Sequence, residues 1–370
     1  MRIHQVGSVL ALGDAVTNHI IEIDRRLSRW GFASAIYGAD IAASPVDKAR
    51  PDREYAAVLD NPNDLLIYHY SAYCDNHVLY QRARQRKIFI YHNITPAEFF
   101  RPYDPFYESL CRRGRALLPE LTGCDLALGV SEYNRQELLA VGFAAERSGV
   151  LPLFLGIDDF ARTTGREQLV QQLKAGGVVN ILFVGKVAPN KGFIDLINLF
   201  YAYHRHINPR SRLILVGARF LPRYDQVLDA LVARLGLGDA ILFTNRVPLG
   251  DLKAYYEAAD LFLCASQHEG FCAPLLEAMY FQIPILARGV TGVPYTLGRA
   301  GVQFHQLNYA ILAELMAMQI EDGALRQQVI AGQTARLAEL APARVEEQLA
   351  AALRAVGVPA PTAQGQGMLP

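Results

Sequence analysis

A series of short, almost continuously apolar runs, each followed by a longer stretch of helical periodicity, constrains this chain more than any other feature. The runs are "DLLIYHY" (64–70), "KIFIYHN" (87–93) and "CDLALGVS" (124–131) in the first half. The second half carries "VVNILFVG" (178–185), "SRLILVGA" (211–218), "AILFTNRV" (240–247), "DLFLCAS" (260–266) and "IPILAR" (283–288). Strands that are apolar at successive rather than alternate positions are buried on both faces, as in a parallel sheet covered by helices on each side. Between them lie helical patterns. Val16, Ile20, Ile23, Leu27 and Trp30 recur after the apolar Ile3–Val6 and the loop Gly7–Asp14, with Asp14 placed as N-cap. Helices are also expected over Phe193–His206, around Tyr224–Leu235 and over Leu252–Ala259.

The stretch "GVLPLFLGIDDF" (149–160) breaks this rhythm near the midpoint, and 370 residues are enough for two cores. The expected organisation is α/β: one doubly wound domain over 1–155 and a second over 156–340. A C-terminal helix over 341–356 is expected to pack back toward the first domain. A Pro/Gly/Gln-rich tail over 357–370 is expected to be disordered. Lys+Arg and Asp+Glu balance at 36 each, which gives no global field for nucleic acid. Five scattered cysteines without a C-x-x-C argue against a disulfide framework or structural zinc and suit a reducing compartment. The first residues lack a signal-peptide pattern, and no apolar run reaches the ~20 residues of a membrane span, so a soluble, cytoplasmic protein is expected.

In doubly wound sheets ligands bind beyond the carboxyl ends of the strands, where loops lead into helix N-termini. After "ILFVG" comes "KVAPNKGF", in which Lys186 and Lys191 flank a Pro-Asn turn and Gly192 leads into a helix. Two ammonium groups beside a helix N-terminus suit a phosphate; two solvated lysines in a turn are an equally ordinary outcome. After "DLFLCAS" comes "SQHEGFCAPLLEAM" (266–279), with Glu269 in the loop and Glu277 one turn inside a helix starting near Ala273. Gly270 lets backbone approach a ligand, and the amides of Phe271, Cys272 and Ala273 are expected to be partly unbonded. The two carboxylates and these donors are expected to converge on one spot, where a carboxylate grips two neighbouring hydroxyls. The alternatives are a favourable charge at a helix N-terminus for Glu277 and a solvated loop carboxylate for Glu269.

"VGKVAPNKG" followed by "SQHEGFCAPLLEAMYFQIPILA" and "GVPYTLGRAGVQF" resembles the retaining nucleotide-sugar glycosyltransferases of family 4, most strongly over 178–305. "GDAVTNH" (13–19), "YHNITP" (91–96) and "VSEYNRQEL" (130–138) extend the resemblance more weakly into the first half. It implies the GT-B fold, two Rossmann-like domains facing across a cleft. It also implies transfer of a hexose from a UDP- or GDP-sugar to a hydroxyl of a glycan or lipid-linked acceptor, in cell-surface polysaccharide or glycoconjugate synthesis.

The resemblance implies roles for individual residues. Lys186 and Lys191, after Gly185, bind the pyrophosphate and stabilise the leaving nucleoside diphosphate. Glu277 grips the ribose. Glu269 faces the transferred sugar, with Gly270, Phe271, Cys272 and Ala273 lending backbone contacts. His92 lies next to the sugar, and Gly13 and Asp14 approach phosphate or acceptor. Base recognition is expected around Ala218–Phe220 and Thr244–Val247. Three positions depart from the family pattern: Lys186 stands where Arg is frequent, Asn190 where Glu is common, and Tyr295 in place of a frequent Glu. No D-x-D is found at a strand end, and the lysines supply the charge a metal would otherwise bring, so no metal or other cofactor is expected.

A glycoside hydrolase, another GT-B chemistry (epimerase or phosphorylase) and a non-catalytic nucleotide-sugar binder are the competing readings. His204 and His206 point apart on their helix, which argues against a shared metal. His268, beside Glu269, is placed either to touch the sugar or to make a structural hydrogen bond. "YESLCRRGRALLPEL" (107–121) reads either as a solvated helix face or as a basic amphipathic helix meeting anionic lipid at the inner face of the membrane.

Overall fold

The computed structural model describes residues 1–154 and 156–359. Contacts between residues divide the chain into two compact units, one of Met1–Ala97, Phe106–Phe154 and the chain from Leu340, the other of Glu98–Pro105 and the chain up to Glu339.

The first unit holds a sheet of β1 (Arg2–Val9), β2 (Ala33–Asp40), β3 (Arg50–Pro51), β4 (Leu65–Tyr70), β5 (Arg86–Tyr91), β6 (Leu126–Gly129) and β7 (Ser148–Val150). The strands are parallel in the order β3-β2-β1-β4-β5-β6-β7. All six residues of β4 are buried, as its unbroken apolar pattern requires. Its tyrosines remain compatible with burial because each hydroxyl finds an acceptor: Tyr68 donates to Asn76 Oδ1 (2.8 Å) and Tyr70 to the Gly114 carbonyl (2.7 Å). The helix Ala15–Arg29 begins at Asp14, whose carboxylate accepts from the Thr17 amide (2.9 Å) and hydroxyl (3.1 Å), and it buries Ile20, Ile23 and Leu27.

The second unit holds β8 (Val179–Val184), β9 (Ser211–Val216), β10 (Ile241–Asn245), β11 (Leu261–Cys264), β12 (Ile285–Arg288) and β13 (Val302–Phe304). These strands are also parallel, ordered β10-β9-β8-β11-β12-β13. Strand order reverses between β8 and β11, which pair through Ile181↔Leu261 and Leu182↔Phe262. This is the Rossmann order, and the reversal opens a crevice between the loops after these two strands.

The division differs from the expected 1–155 and 156–340 in one segment. Residues 98–105 belong to the second unit because their aromatic side chains pack there: Tyr103 lies edge-on to Tyr224 at 4.8 Å, and Phe99 is 6.3 Å from His268. The helix Pro342–Ala355, close to the expected 341–356, lies in the first unit, where Glu346 bonds Arg29 (2.7 Å) and Arg86 donates to the Val356 carbonyl (2.7 Å). Of the tail expected over 357–370, residues 360–370 lie outside the described residues.

No helix among the described residues is long and apolar enough to cross a membrane. The basic helix is Pro105–Leu117, and its arginines have different surroundings. Arg115 pairs with Glu137 (2.5 Å) and donates to the Ile94 carbonyl, and Arg113 stacks 3.6 Å over the Tyr73 ring. Arg112 is exposed beside Glu108 at 3.5 Å. Of this basic face, Arg115 is tied to Glu137 and Ile94, while Arg112 and Arg113 remain exposed.

Candidate functional site

The switch point in the second unit brings the two chemistry-bearing loops together. After β8 the chain runs through Gly185–Ala188 and a short 3₁₀ turn, Pro189–Lys191, and then enters the helix Phe193–His206. Gly192, with φ 69°, makes that entry, and a β-carbon there would lie 2.1 Å from the Ala265 carbonyl oxygen. Only glycine accommodates both the left-handed backbone and the close approach to the end of β11. Asn190 then ties the loops: its carbonyl accepts from the amides of Gln267 (2.8 Å) and His268 (3.2 Å), and its side chain donates to the His268 carbonyl (3.0 Å). Asp195, in the first helical turn, accepts from Gln267 at 3.1 Å and Tyr309 at 3.1 Å.

This register places Lys191 Nζ 2.6 Å from Glu269 Oε2. Ser266 donates to the other carboxylate oxygen at 2.8 Å. The Glu269 backbone is held from the loop after β12, its amide by Thr291 Oγ1 and its carbonyl by the Gly292 amide, both at 2.9 Å. Glu269 is only 5% exposed, so its charge depends on these partners. Burial acts to lower the Lys191 pKa, but the adjacent Glu269 carboxylate outweighs it and raises the value. Lys191 is therefore a fixed cation, and its side chain keeps 24% of its exposure.

Glu277 has a different partner from Glu269. It lies in the helix Ala273–Tyr280, half-buried, and accepts from the Tyr256 hydroxyl at 2.5 Å. Burial raises its carboxyl pKa above the ordinary range, opposed by the Tyr256 hydrogen bond. The helix starts at Ala273 with Pro274 in its first turn, and no side chain caps it. Its N-cap, Cys272, is left-handed at φ 67°, ψ 66°, a conformation that costs a residue with a β-carbon about 1–2 kcal/mol. Phe271 is buried, with its carbonyl accepting from the Thr296 hydroxyl, and Gly270 is half-buried.

The remaining predicted residues are more dispersed. Lys186 is exposed, its ammonium 3.8 Å from the Phe220 ring centroid, so the loop after β9 supports its charge through a cation–π contact. Thr244 lies in β10 and donates to the Asn245 carbonyl (2.9 Å); Val247 follows, half-buried. Tyr295 lies beside Phe271, ring centroids 6.4 Å apart, and its carbonyl accepts from Arg336.

His92, Gly13 and Asp14 belong to the first unit. Gly13 turns with φ 71° ahead of the Asp14 cap. His92 follows β5, its Nε2 3.0 Å from His69 Nδ1, with the His19 ring edge-on at 5.3 Å. Burial pushes its pKa down to about 3.

Asn190, Ser266, Thr291, Gly292 and Tyr256 complete the second-unit site and were not singled out as site residues from the sequence. Asn190 drew notice only as a departure from a family pattern. The others are ordinary residue types whose roles depend on contacts distant in sequence.

Residues 166–336 match the family model "Glycosyl transferases group 1". The chain is 27% identical over 215 residues to O-antigen chain mannosyltransferase B of Escherichia coli, covering 58% of this chain and 56% of that protein. It is 32% identical over 108 residues to GDP-mannose:cellobiosyl-diphosphopolyprenol alpha-mannosyltransferase of Xanthomonas oryzae, covering 29% and 28% respectively. The matched stretch thus spans about half the length of the first of these relatives and less of the second. Anabaena HepE, solved with UDP and glucose, superposes with a TM-score of 0.75 at 17% identity over 96% of this chain and 99% of that one. The sheet order, the switch-point loops and these matches agree: the chain has the GT-B fold and carries a Glycosyl transferases group 1 domain at residues 166–336.

Proposed function

We propose that this chain is a retaining hexosyltransferase of family 4 that transfers mannose from GDP-mannose to a hydroxyl of a glycan or polyprenol-linked acceptor in polysaccharide synthesis. The observation that carries the reading is the Lys191–Glu269 pair, 2.6 Å apart at the switch point of a Rossmann sheet, where a nucleotide's phosphates meet a helix N-terminus. The mannosyl donor and polysaccharide setting are supported by the names of the two relatives. In this reading the acceptor hydroxyl attacks the anomeric carbon, the bond to the diphosphate breaks, and the acceptor's proton passes to the departing phosphate oxygen on the same face. Lys191 and Lys186 stabilise the growing negative charge, which gives the step a cation without a metal ion. Glu269 holds Lys191 in place and presents its carboxylate edge to the sugar. Glu277, already accepting from Tyr256, grips the ribose diol.

The test is transfer from GDP-mannose and UDP-glucose, each with EDTA, to a panel of polyprenol-diphosphate saccharides. Product is expected from GDP-mannose, with the donor's anomeric configuration kept. Transfer only from UDP-glucose would overturn the choice of donor and favour the second reading, which the UDP and glucose bound to the HepE neighbour support. Inversion, or an EDTA-treated enzyme that regains activity only with Mg²⁺ or Mn²⁺, would overturn the mechanism.

Glu277→Ala is expected to weaken donor binding about 10²-fold, the loss of two hydrogen bonds to a charged group at about 1.5–3 kcal/mol each, partly offset by solvent. Calorimetry with GDP measures it, and an unchanged Kd removes Glu277 from the ribose role.

A further inference from the structure

In the first unit, His19, His69 and His92 each offer a ring nitrogen, and the three nitrogens lie within 4.8 Å of one another. Neighbours fix two of the tautomers. Gln5 donates its side-chain amide to the Ile20 carbonyl (3.2 Å), which turns its Oε1 toward His69 as an acceptor. His69 therefore carries its proton on Nε2, 3.1 Å from Gln5 Oε1, and its Nδ1 is a lone pair. His92 Nε2, 3.0 Å away, donates to that lone pair. His19 has no comparable arrangement. It is 1% exposed, and among the described residues neither of its ring nitrogens has a hydrogen-bond partner, nor does His92 Nδ1. A buried polar group left unsatisfied costs about 1–3 kcal/mol, so the cluster calls for a ligand that uses these nitrogens.

We infer that His19, His69 and His92 form a binding site for a first-row divalent transition metal ion, with zinc the best match. Imidazole nitrogen is a preferred ligand of such ions, and three of them leave a fourth tetrahedral position for water or an anion. His69 is already arranged as a ligand: Nδ1 is a lone pair and the opposite N–H is held by Gln5, the outer hydrogen bond that orients metal-binding histidines. His92 has only to move its proton from Nε2 to Nδ1. The two nitrogens, 3.0 Å apart, need to separate by a few tenths of an ångström to reach the about 3.3 Å between tetrahedral ligands with zinc bonds near 2.0 Å. The Arg26 guanidinium, the charge that bears on His19, is paired with Glu22 at 2.5 Å and stacked 3.8 Å over Phe154, which limits its repulsion of an ion. The ion joins β4, the residue after β5 and the helix Ala15–Arg29, and gives His92 a ligand role in place of the sugar-facing one the resemblance implies. This assignment stands independently of glycosyl transfer.

The test is titration of the chelator-stripped full-length protein with Co²⁺ and Zn²⁺. One equivalent of Co²⁺ is expected to give the visible absorption of a tetrahedral site, displaced by Zn²⁺, and Zn²⁺ is expected to raise Tm in a way EDTA reverses. His19→Ala and His92→Ala should each abolish the band, while His204→Ala should keep it. Gln5→Leu should weaken Zn²⁺ affinity about 10–100-fold. Circular dichroism checks that each variant folds; if either alanine variant does not, the other and Gln5→Leu decide. No tetrahedral band in the wild type, or a band that survives in folded His19→Ala or at undiminished affinity in Gln5→Leu, overturns the site.

Discussion

Lys191→Ala is expected to lower kcat about 10²–10³-fold, the effect of removing one preorganised donor aimed at charge that develops in the transition state. The donor's Kd should change much less, because charge on the diphosphate grows as the glycosidic bond breaks. The same change leaves Glu269 buried with Ser266 as its remaining side-chain donor, so stability should also fall. Truncating one partner of a fully buried pair costs about 3–5 kcal/mol; here about 2–3 kcal/mol is expected, since solvent reaches part of Lys191. The two effects separate in the double variant Lys191→Met with Glu269→Gln. Neutral side chains of similar volume should recover most of the stability and none of the turnover. Recovery of turnover, or full turnover in Lys191→Ala, would remove Lys191 from the leaving-group role.

Gly192→Ala is expected to destabilise the second unit strongly. Its β-carbon would lie 2.1 Å from the Ala265 oxygen, a contact that only separation of the loops after β8 and β11 relieves. The positive φ adds strain of about 1 kcal/mol, and the total should exceed about 3 kcal/mol. In a unit of this size that lowers the melting transition by roughly 10 °C, with donor binding lost alongside. Gly176→Ala is the control: φ is 70° there as well, but nothing lies within 4 Å of the added carbon, so only the backbone strain should appear. Equal losses at the two positions would mean that the close approach to β11 contributes nothing.

The legible parts of this fold were those written locally. Continuous burial made β4, β5, β8 and β9 readable, and the helix Phe193–His206 was delimited by Gly192 and its own periodicity. β2 escaped because "ASAIYGAD" buries only its central Ile36, Tyr37 and Gly38, and its small flanking residues carry no strong pattern. Residues 98–105 were placed in the wrong unit because their allegiance is set by rings more than 100 positions away in sequence. At the candidate site, spacing and resemblance single out Lys186, Lys191, Glu269 and Glu277. They do not single out the pairing of Lys191 with Glu269 or of Glu277 with Tyr256, because strand order decides which loops meet. Each carboxylate has its own donors, Lys191 and Ser266 for Glu269 and Tyr256 for Glu277. The histidine cluster was hidden for the same reason, with only His92 noticed, since β4, β5 and the first helix meet only in three dimensions.

The central claim is that the loops after β8 and β11 hold a nucleoside diphosphate. Amide hydrogen exchange on the full-length protein, with and without GDP and UDP, tests it most directly. Protection is predicted over 186–192 and 267–277 with at least one of the two nucleotides, and should be much reduced in Glu277→Ala. Protection confined to other segments, or none with either nucleotide at millimolar concentration, would contradict the account.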